Sequence, residues 1–114
     1  DNRLVGTWVL VSTKITNAQT TLLEGSAPEL QALKILNSTD YSVITRRGDQ
    51  FVRAGTGRYT LSGDTYTESV DLASNAGFTP GRVYSFTIRL DGDTWTLEGG
   101  SESQRLHEVW RRVR

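Results

Sequence analysis

The amino-acid sequence predicts an all-β fold, a single antiparallel up-and-down β-barrel of about eight strands. Aromatic and β-branched residues alternate with polar residues in short runs, which is the pattern of half-buried strands. Gly-Asp or Asn turns of hairpin length separate most of these runs, and this favours pairing between consecutive strands. The predicted strands lie at residues 4–15, 33–37, 41–47, 50–61, 65–73, 82–90, 94–99 and 105–113.

The first and last predicted strands are expected to pair with each other and close the sheet into a barrel. The chain has 114 residues, a length that fits one domain with a single core, here residues 1–114. An eight-stranded barrel has an interior that side chains fill or that holds one small ligand. The fold therefore suggests a container.

One connection, from residue 16 to residue 32, is much longer than the others. Within it, Ser26 and Glu29 have the spacing of a helix capping box, and Pro28 is compatible with a first helical turn. We therefore predict a short helix near residues 27–32. Long connections in compact domains are often functional. This one is expected either to cover the open end of the barrel as a lid, or to be a loop whose Leu22 and Leu23 plug the barrel base.

Composition excludes several function classes. Thirteen acidic and thirteen basic residues leave no net charge, which argues against binding to nucleic acid. The absence of cysteine excludes disulfides, and with a single histidine we expect no zinc site and no cofactor. No apolar run reaches the length of about 18 residues that a membrane helix needs, so no membrane insertion is expected.

The sequence contains no methionine, not even at position 1. We therefore expect that the chain starts inside a longer precursor. It is either a mature secreted or periplasmic domain after removal of a signal peptide, or a trimmed piece of a longer chain. The residues leave the localisation and the oligomeric state open.

The alternation also predicts which side chains face the interior, because a sheet without covering helices buries only one face. In the sixth predicted strand, the inward set is the one with the large apolar residues. The same reasoning on the other strands gives the full inward set: Tyr41, Val43, Arg53, Tyr59, Leu61, Tyr66, Glu68, Val70, Leu72, Tyr84, Phe86, Ile88, Leu90, Trp95 and Leu97.

The last strand has two possible parities. We favour the inward set Leu106, Glu108, Trp110 and Arg112 over the set His107, Val109, Arg111 and Val113, because Trp110 is the larger apolar group. His107 is then expected at the surface. With the other parity, His107 would become an interior base, and Glu108 would leave the interior.

The favoured parity places Glu68, Glu108, Arg53 and Arg112 together in one small interior. A buried charge costs several kcal/mol unless it is paired and hydrogen-bonded. These residues therefore form either a salt-bridged plug or the lining of a wet pocket, and the sequence leaves both open.

Gly6-x-Trp8 in the first strand and an arginine in the last resemble the lipocalin and fatty-acid-binding superfamily. A longer set of stretches, residues 4–8, 34–36, 55–59, 63–68, 93–95 and 108–113, resembles an uncharacterised bacterial lipocalin-like domain family. The resemblance implies a calycin-like barrel of eight to ten strands, often in secreted or envelope proteins of bacteria. It supplies no ligand. The chain departs from the family pattern at Asp40-Tyr41-Ser42, where an aromatic residue or histidine is expected.

Three functions remain open from the sequence. The leading hypothesis is a non-catalytic barrel that binds a small apolar or aromatic ligand, since tyrosines form amphipathic walls. The second is an acid–base enzyme of isomerase, cyclase or hydrolase type, with Glu68 or Glu108 as the base. The third is a filled scaffold with an exposed apolar patch around Phe78. The predicted ligand-binding residues are Tyr41, Arg53, Tyr59, Tyr66, Glu68, Tyr84, Phe86, Trp95, Glu108 and Trp110.

Overall fold

The computed structural model of the protein describes residues 3–74, 79–101 and 104–114. Phe78, around which the scaffold hypothesis expects an exposed apolar patch, lies outside the described residues. Nine strands are present in these ranges: β1 (Gly6–Thr16), β2 (Thr21–Ser26), β3 (Leu30–Leu36), β4 (Asp40–Arg47), β5 (Gln50–Ser62), β6 (Thr65–Ala73), β7 (Val83–Asp91), β8 (Thr94–Ser101) and β9 (Gln104–Arg112).

The strands form one antiparallel sheet that closes on itself. Its order is β2-β1-β3-β4-β5-β6-β7-β8-β9, and β1 also pairs with β9 from Trp8↔Arg112 to Thr16↔Arg105. The closed barrel therefore has eight strands, β1 and β3 to β9, as predicted. Each of the eight predicted strands overlaps one of these.

β2 is an additional strand that the sequence analysis did not predict. β1 is too long for β3 to cover. β3 pairs with its first half, from Gly6↔Leu36 to Val9↔Leu33, and β2 pairs with its second half, from Ser12↔Ser26 to Thr16↔Thr21. The free backbone groups of the second half of β1 are satisfied by this extra hairpin strand.

The predicted helix near residues 27–32 is wrong. Residues 27–29 form a turn between β2 and β3, and the part of the chain that the structure describes contains no helix. Leu30 is fully buried and begins an alternating inward pattern that continues through β3. Burial of this strand face outweighs a capping-box pattern that could stabilise only a single turn. The described residues also contain no helix long and apolar enough to cross a membrane.

One end of the barrel is closed, and we call it the base. Trp8 is fully buried there, and its indole N–H donates to the Leu4 carbonyl at 3.0 Å. The Arg112 guanidinium lies 4.3 Å from the centroid of the Trp8 ring and donates to the carbonyls of Val5 and Arg3, each at 2.8 Å. Arg112 therefore lies at the base and does not share the interior with Glu68 and Glu108. The prediction was wrong because this position is level with Trp8, at the end of β9.

The opposite end of the barrel, which we call the mouth, carries the connections β1–β2, β4–β5, β6–β7 and β8–β9. β6 is irregular on this side. Gly57 pairs with Val70 and Thr56 pairs with Leu72, so Asp71 is an extra residue and the side-chain parity shifts. Leu72, predicted to face inward, is consequently 69% exposed.

The remaining parity predictions are confirmed where the structure describes them. In β9, Leu106, Glu108 and Trp110 are buried, and His107 is exposed. Leu61, Leu90 and Val43 are partly buried and pack against the core. The buried apolar core comprises Leu4, Trp8, Leu10, Ile15, Leu30, Ala32, Leu36, Tyr41, Tyr59, Tyr66, Val70, Tyr84, Phe86, Ile88, Trp95, Leu97, Leu106 and Trp110.

Candidate functional site

A buried ion pair crosses the barrel interior between Lys34 and Glu68. Lys34 is an inward residue of β3, and Glu68 is an inward residue of β6. In the sheet, β4 and β5 lie between these two strands. The Lys34 Nζ lies 2.9 Å from Glu68 Oε2, with the two side chains 5% and 7% exposed. The Tyr66 hydroxyl donates to the same carboxylate oxygen at 2.6 Å. The pair therefore links opposite walls of the barrel.

Four aromatic rings surround the ammonium group of Lys34. The distances from Nζ to the centroids of Tyr41, Tyr66, Trp95 and Trp110 are between 5.1 and 5.5 Å. Each of these distances is within the range of a cation–π interaction, which in a desolvated site contributes about 2 kcal/mol. The rings thus replace part of the hydration that Lys34 loses on burial.

A second polar group is centred on Glu108 of β9. Thr13 donates to Glu108 Oε2 at 2.7 Å, and the Trp110 indole N–H donates to Oε1 at 3.0 Å. Arg53 of β5 places its guanidinium 3.7 Å from Oε2. Glu108 is therefore hydrogen-bonded at both oxygens and has a cation across the interior. The sequence analysis left two arrangements open, a salt-bridged plug and a wet pocket. In the part of the chain that the structure describes, the charged side chains of the interior belong to these two ion pairs.

A small cavity lies between the two ion pairs. Its wall contains both pairs together with Tyr41, Val43, Ala54, Gly55, Val70, Ala73, Phe86, Leu97, Leu106 and Trp110. The centres of water molecules can occupy about 40 Å³ of it, enough for about three waters at roughly 10–15 Å³ each. The interior is therefore mostly filled, and the remaining space is lined by charged and apolar groups.

Burial shifts the pKa values of the interior tyrosines. Desolvation, followed by the Glu68 carboxylate, raises the pKa of Tyr66 far above its ordinary value. The same two causes raise the pKa of Tyr41, and desolvation alone raises the pKa of Tyr59. These phenols stay protonated at neutral pH, so Tyr66 acts as a hydrogen-bond donor to Glu68.

The predicted ligand-binding residues separate into two groups. Those in the cavity wall are Tyr41, Arg53, Glu68, Phe86, Glu108 and Trp110. The other four, Tyr59, Tyr66, Tyr84 and Trp95, are buried in the core outside that wall. Tyr66 and Trp95 still contribute indirectly, because both contact Lys34.

Lys34 is a charged residue of the site that the sequence analysis missed. We did not assign a parity to its strand, although Leu30, Ala32, Lys34 and Leu36 alternate with polar or exposed residues. Because the strand was predicted to start at residue 33, Leu30 and Ala32 were left out, and the remaining alternation was too short to assign the inward face. A longer strand prediction would have placed Lys34 inside and supplied the partner for Glu68.

A larger groove lies on the outer surface of the barrel, beside the turn at Ala27 and Pro28. It has a volume of about 680 Å³, is open to solvent, and includes the exposed apolar side chains of Ile44 and Phe51. Its charged residues, Arg46, Asp49 and Arg111, are exposed to solvent, whereas the charged side chains of the interior cavity are largely buried and paired. Binding sites combine apolar walls with a few placed polar groups, so the interior cavity is the better candidate. Among the described residues, no group of three or more His, Cys, Asp or Glu side chains is placed to hold a metal ion.

Two of the solved structures with a similar fold come from Bacteroides. A lipocalin-like protein from Bacteroides uniformis superimposes with a TM-score of 0.62 and 16% sequence identity over 96% of this chain and 98% of that chain. An uncharacterized protein from Bacteroides eggerthii gives a TM-score of 0.59 and 12% identity over the same shares. No protein-family model and no curated protein matches the sequence. The chain therefore has the fold of the bacterial lipocalin-like barrels.

Proposed function

We propose that the protein binds a small molecule inside the barrel, in the cavity between the two ion pairs. The observation that carries the proposal is the convergence of Lys34, Glu68, Arg53 and Glu108 on one space that also has apolar walls. A site of this kind orients a ligand by its polar group and holds the remainder by apolar contact. The lipocalin-like fold, which suggests a container, supports the same function.

The size of the cavity limits the ligand. Space for about three waters corresponds to a molecule of about three or four non-hydrogen atoms. The sequence analysis expected an apolar or aromatic ligand. A benzene-sized guest occupies a cavity of about 150 Å³ in another protein, so an aromatic ligand would need residues at the mouth to move. A short amphipathic molecule fits without such movement.

The affinity for such a ligand is limited as well. The best small ligands gain about 1.5 kcal/mol of binding free energy per non-hydrogen atom. A ligand of four such atoms therefore has a Kd no tighter than about 40 µM. Detection therefore requires a method that tolerates weak binding, such as NMR titration. The Trp110 indole N–H is a suitable reporter, because it lines the cavity and donates to Glu108.

The experiment is a titration of the protein with acetate, 1-propanol and propylammonium, followed through the indole N–H signals. We expect at least one probe to shift the Trp110 signal saturably at millimolar concentrations. The Trp8 signal should stay in place, since Trp8 lies at the base and donates to Leu4. If none of the three probes moves the Trp110 signal, the barrel is a filled scaffold and the proposal is wrong.

A pair of matched substitutions tests the location. Val70 is 3% exposed and lines the cavity, whereas Val83 is 62% exposed on the outer face. Val70→Phe should fill the cavity and abolish the shift, and Val83→Phe should leave it unchanged. If both variants bind the probe equally well, the probe binds outside the interior cavity.

A further inference from the structure

We propose that Lys34 captures small aldehydes covalently, as a protonated Schiff base inside the cavity. This inference rests on the proposed function, because the aldehyde must first enter the cavity. It assigns to Lys34 a chemical role, with aldehydes of two or three carbons as the ligand class.

The position of the amine supports the proposal. Lys34 lines the cavity, and its Nζ is held by Glu68 at 2.9 Å and by the four rings around it. An aldehyde in the cavity would lie beside an amine that has little freedom to turn away. Fixing two reactants side by side in this way favours bond formation between them.

Glu68 supplies the proton transfers that the reaction needs. Its Oε2 accepts a proton from the Lys34 ammonium, and the free amine attacks the carbonyl carbon while the carbonyl π electrons move to oxygen. A proton passes from nitrogen to that oxygen and gives a carbinolamine. Glu68 then returns its proton to the hydroxyl group, which leaves as water. The balance is ammonium plus aldehyde giving iminium plus water, with no oxidant or reductant.

The surroundings that stabilise the Lys34 ammonium also stabilise the iminium product. The iminium carries the same single positive charge, so the buried Glu68 carboxylate keeps a counter-ion. The rings of Tyr41, Tyr66, Trp95 and Trp110 can still stabilise that charge. The small, mostly filled interior admits few waters, which slows hydrolysis of the adduct.

The chain contains its own control for the experiment. Its other lysine, Lys14, lies on the surface, with a side chain 54% exposed and 4.0 Å from Glu24. Lys14 lines an open surface groove and can react with an aldehyde from solution, but it lies outside the interior cavity and away from the four rings around Lys34. A comparison of the two lysines in one sample therefore needs no variant and does not depend on the folding of a mutant.

The test is to incubate the full chain with acetaldehyde, to remove the free aldehyde, and to unfold each sample into cyanoborohydride, which then reduces the imine to a stable ethyl adduct. The adducts are located by peptide mass spectrometry. We expect Lys34 to be ethylated about tenfold faster than Lys14. In Glu68→Gln, folded by circular dichroism, the rate at Lys34 should fall by about 100-fold and the rate at Lys14 should not change. Benzaldehyde, which exceeds the cavity, should react only with Lys14 and the terminal amine.

Ethylation of Lys34 no faster than that of Lys14 in the native protein would overturn the inference. If 1-propanol nevertheless shifts the Trp110 indole signal, the cavity binds small molecules without covalent capture, and the proposed function stands alone. If neither result appears, both proposals fail. If Lys34 is still ethylated faster than Lys14 when acetaldehyde is added to the protein in urea, the cavity is not the cause of the difference. That result also contradicts the inference.

Discussion

Lys34 Nζ and Glu68 Oε2 lie 2.9 Å apart inside the barrel, although 34 residues separate them in the chain. Their strands, β3 and β6, are not neighbours in the sheet. The Arg53–Glu108 pair has the same character, because it joins β5 to β9 across the interior. Each ion pair therefore connects strands that are not adjacent in the sheet, and the cavity lies between the two ion pairs.

The first prediction concerns the energy of the Lys34–Glu68 pair. Lys34→Met leaves the Glu68 carboxylate buried without its cation, and we expect a loss of about 3–5 kcal/mol in the free energy of unfolding. The double variant Lys34→Met/Glu68→Gln removes both charges and keeps an acceptor for Tyr66, so it should be more stable than Lys34→Met. Urea denaturation followed by circular dichroism measures both.

The surface pair Lys14–Glu24 is the matched control for that cycle. Its side chains are 54% and 60% exposed, and an exposed pair contributes about 0–1 kcal/mol. Lys14→Met, Glu24→Gln and the double variant should therefore change the free energy of unfolding little. Purely additive losses at Lys34 and Glu68 would show that the two side chains do not interact as the structure places them.

The second prediction concerns alkaline pH. The folded state raises the pKa values of Tyr41, Tyr59 and Tyr66, so above about pH 10 the unfolded state loses phenolic protons that the folded state keeps. The unfolded state then binds fewer protons, and the free energy of unfolding falls as the pH rises. The contribution of these tyrosines is fully present below pH 10 and is lost above it.

Tyr66→Phe tests this dependence at one residue. It should make the alkaline fall less steep by about 1.4 kcal/mol per pH unit. Below pH 9 the variant and the parent should differ by a constant amount, which reflects the lost hydrogen bond to Glu68. Urea midpoints measured between pH 7 and pH 11 give both quantities, and an identical alkaline slope would contradict the prediction.

The third prediction concerns the closure of the base. Arg112 donates to two carbonyls and lies over the Trp8 ring, a combination that the planar guanidinium can make and an ammonium cannot. Arg112→Lys should therefore lower the stability by about 1–3 kcal/mol and shift the Trp8 indole signal. Arg111→Lys, at an exposed neighbouring position, should do neither. A shift confined to the Trp110 signal would be inconsistent with this arrangement.

The fourth prediction concerns the bulge opposite Gly57. A β-carbon added at Gly57 would lie 1.9 Å from the Ser69 carbonyl oxygen, whereas one at Gly55 would lie 3.5 Å from the Leu72 oxygen. Gly57→Ala must displace backbone and should cost more than about 2 kcal/mol. Gly55→Ala makes an ordinary contact and should cost less than about 1 kcal/mol. Thermal unfolding distinguishes the two, and equal losses would argue against the bulge.

The errors of the sequence analysis have a common origin. Leu72 was assigned inward because alternation was extended through β6, but one extra residue at Asp71 reverses the parity. The helix was assigned from Ser26 and Glu29, although Leu30 already belongs to β3. Bulges and strand starts depend on the neighbouring strand, which a local pattern does not contain.

The sequence by itself determined the strands of the barrel, its closure through the first and last strands, and the inward position of Glu68, Glu108 and Trp110. These follow from the period of two that every strand imposes on its side chains. Only the tertiary structure decided that Lys34 pairs with Glu68, that Arg112 closes the base, and that about 40 Å³ remains open. Such features depend on where each strand stands around the barrel and how far each side chain reaches across it.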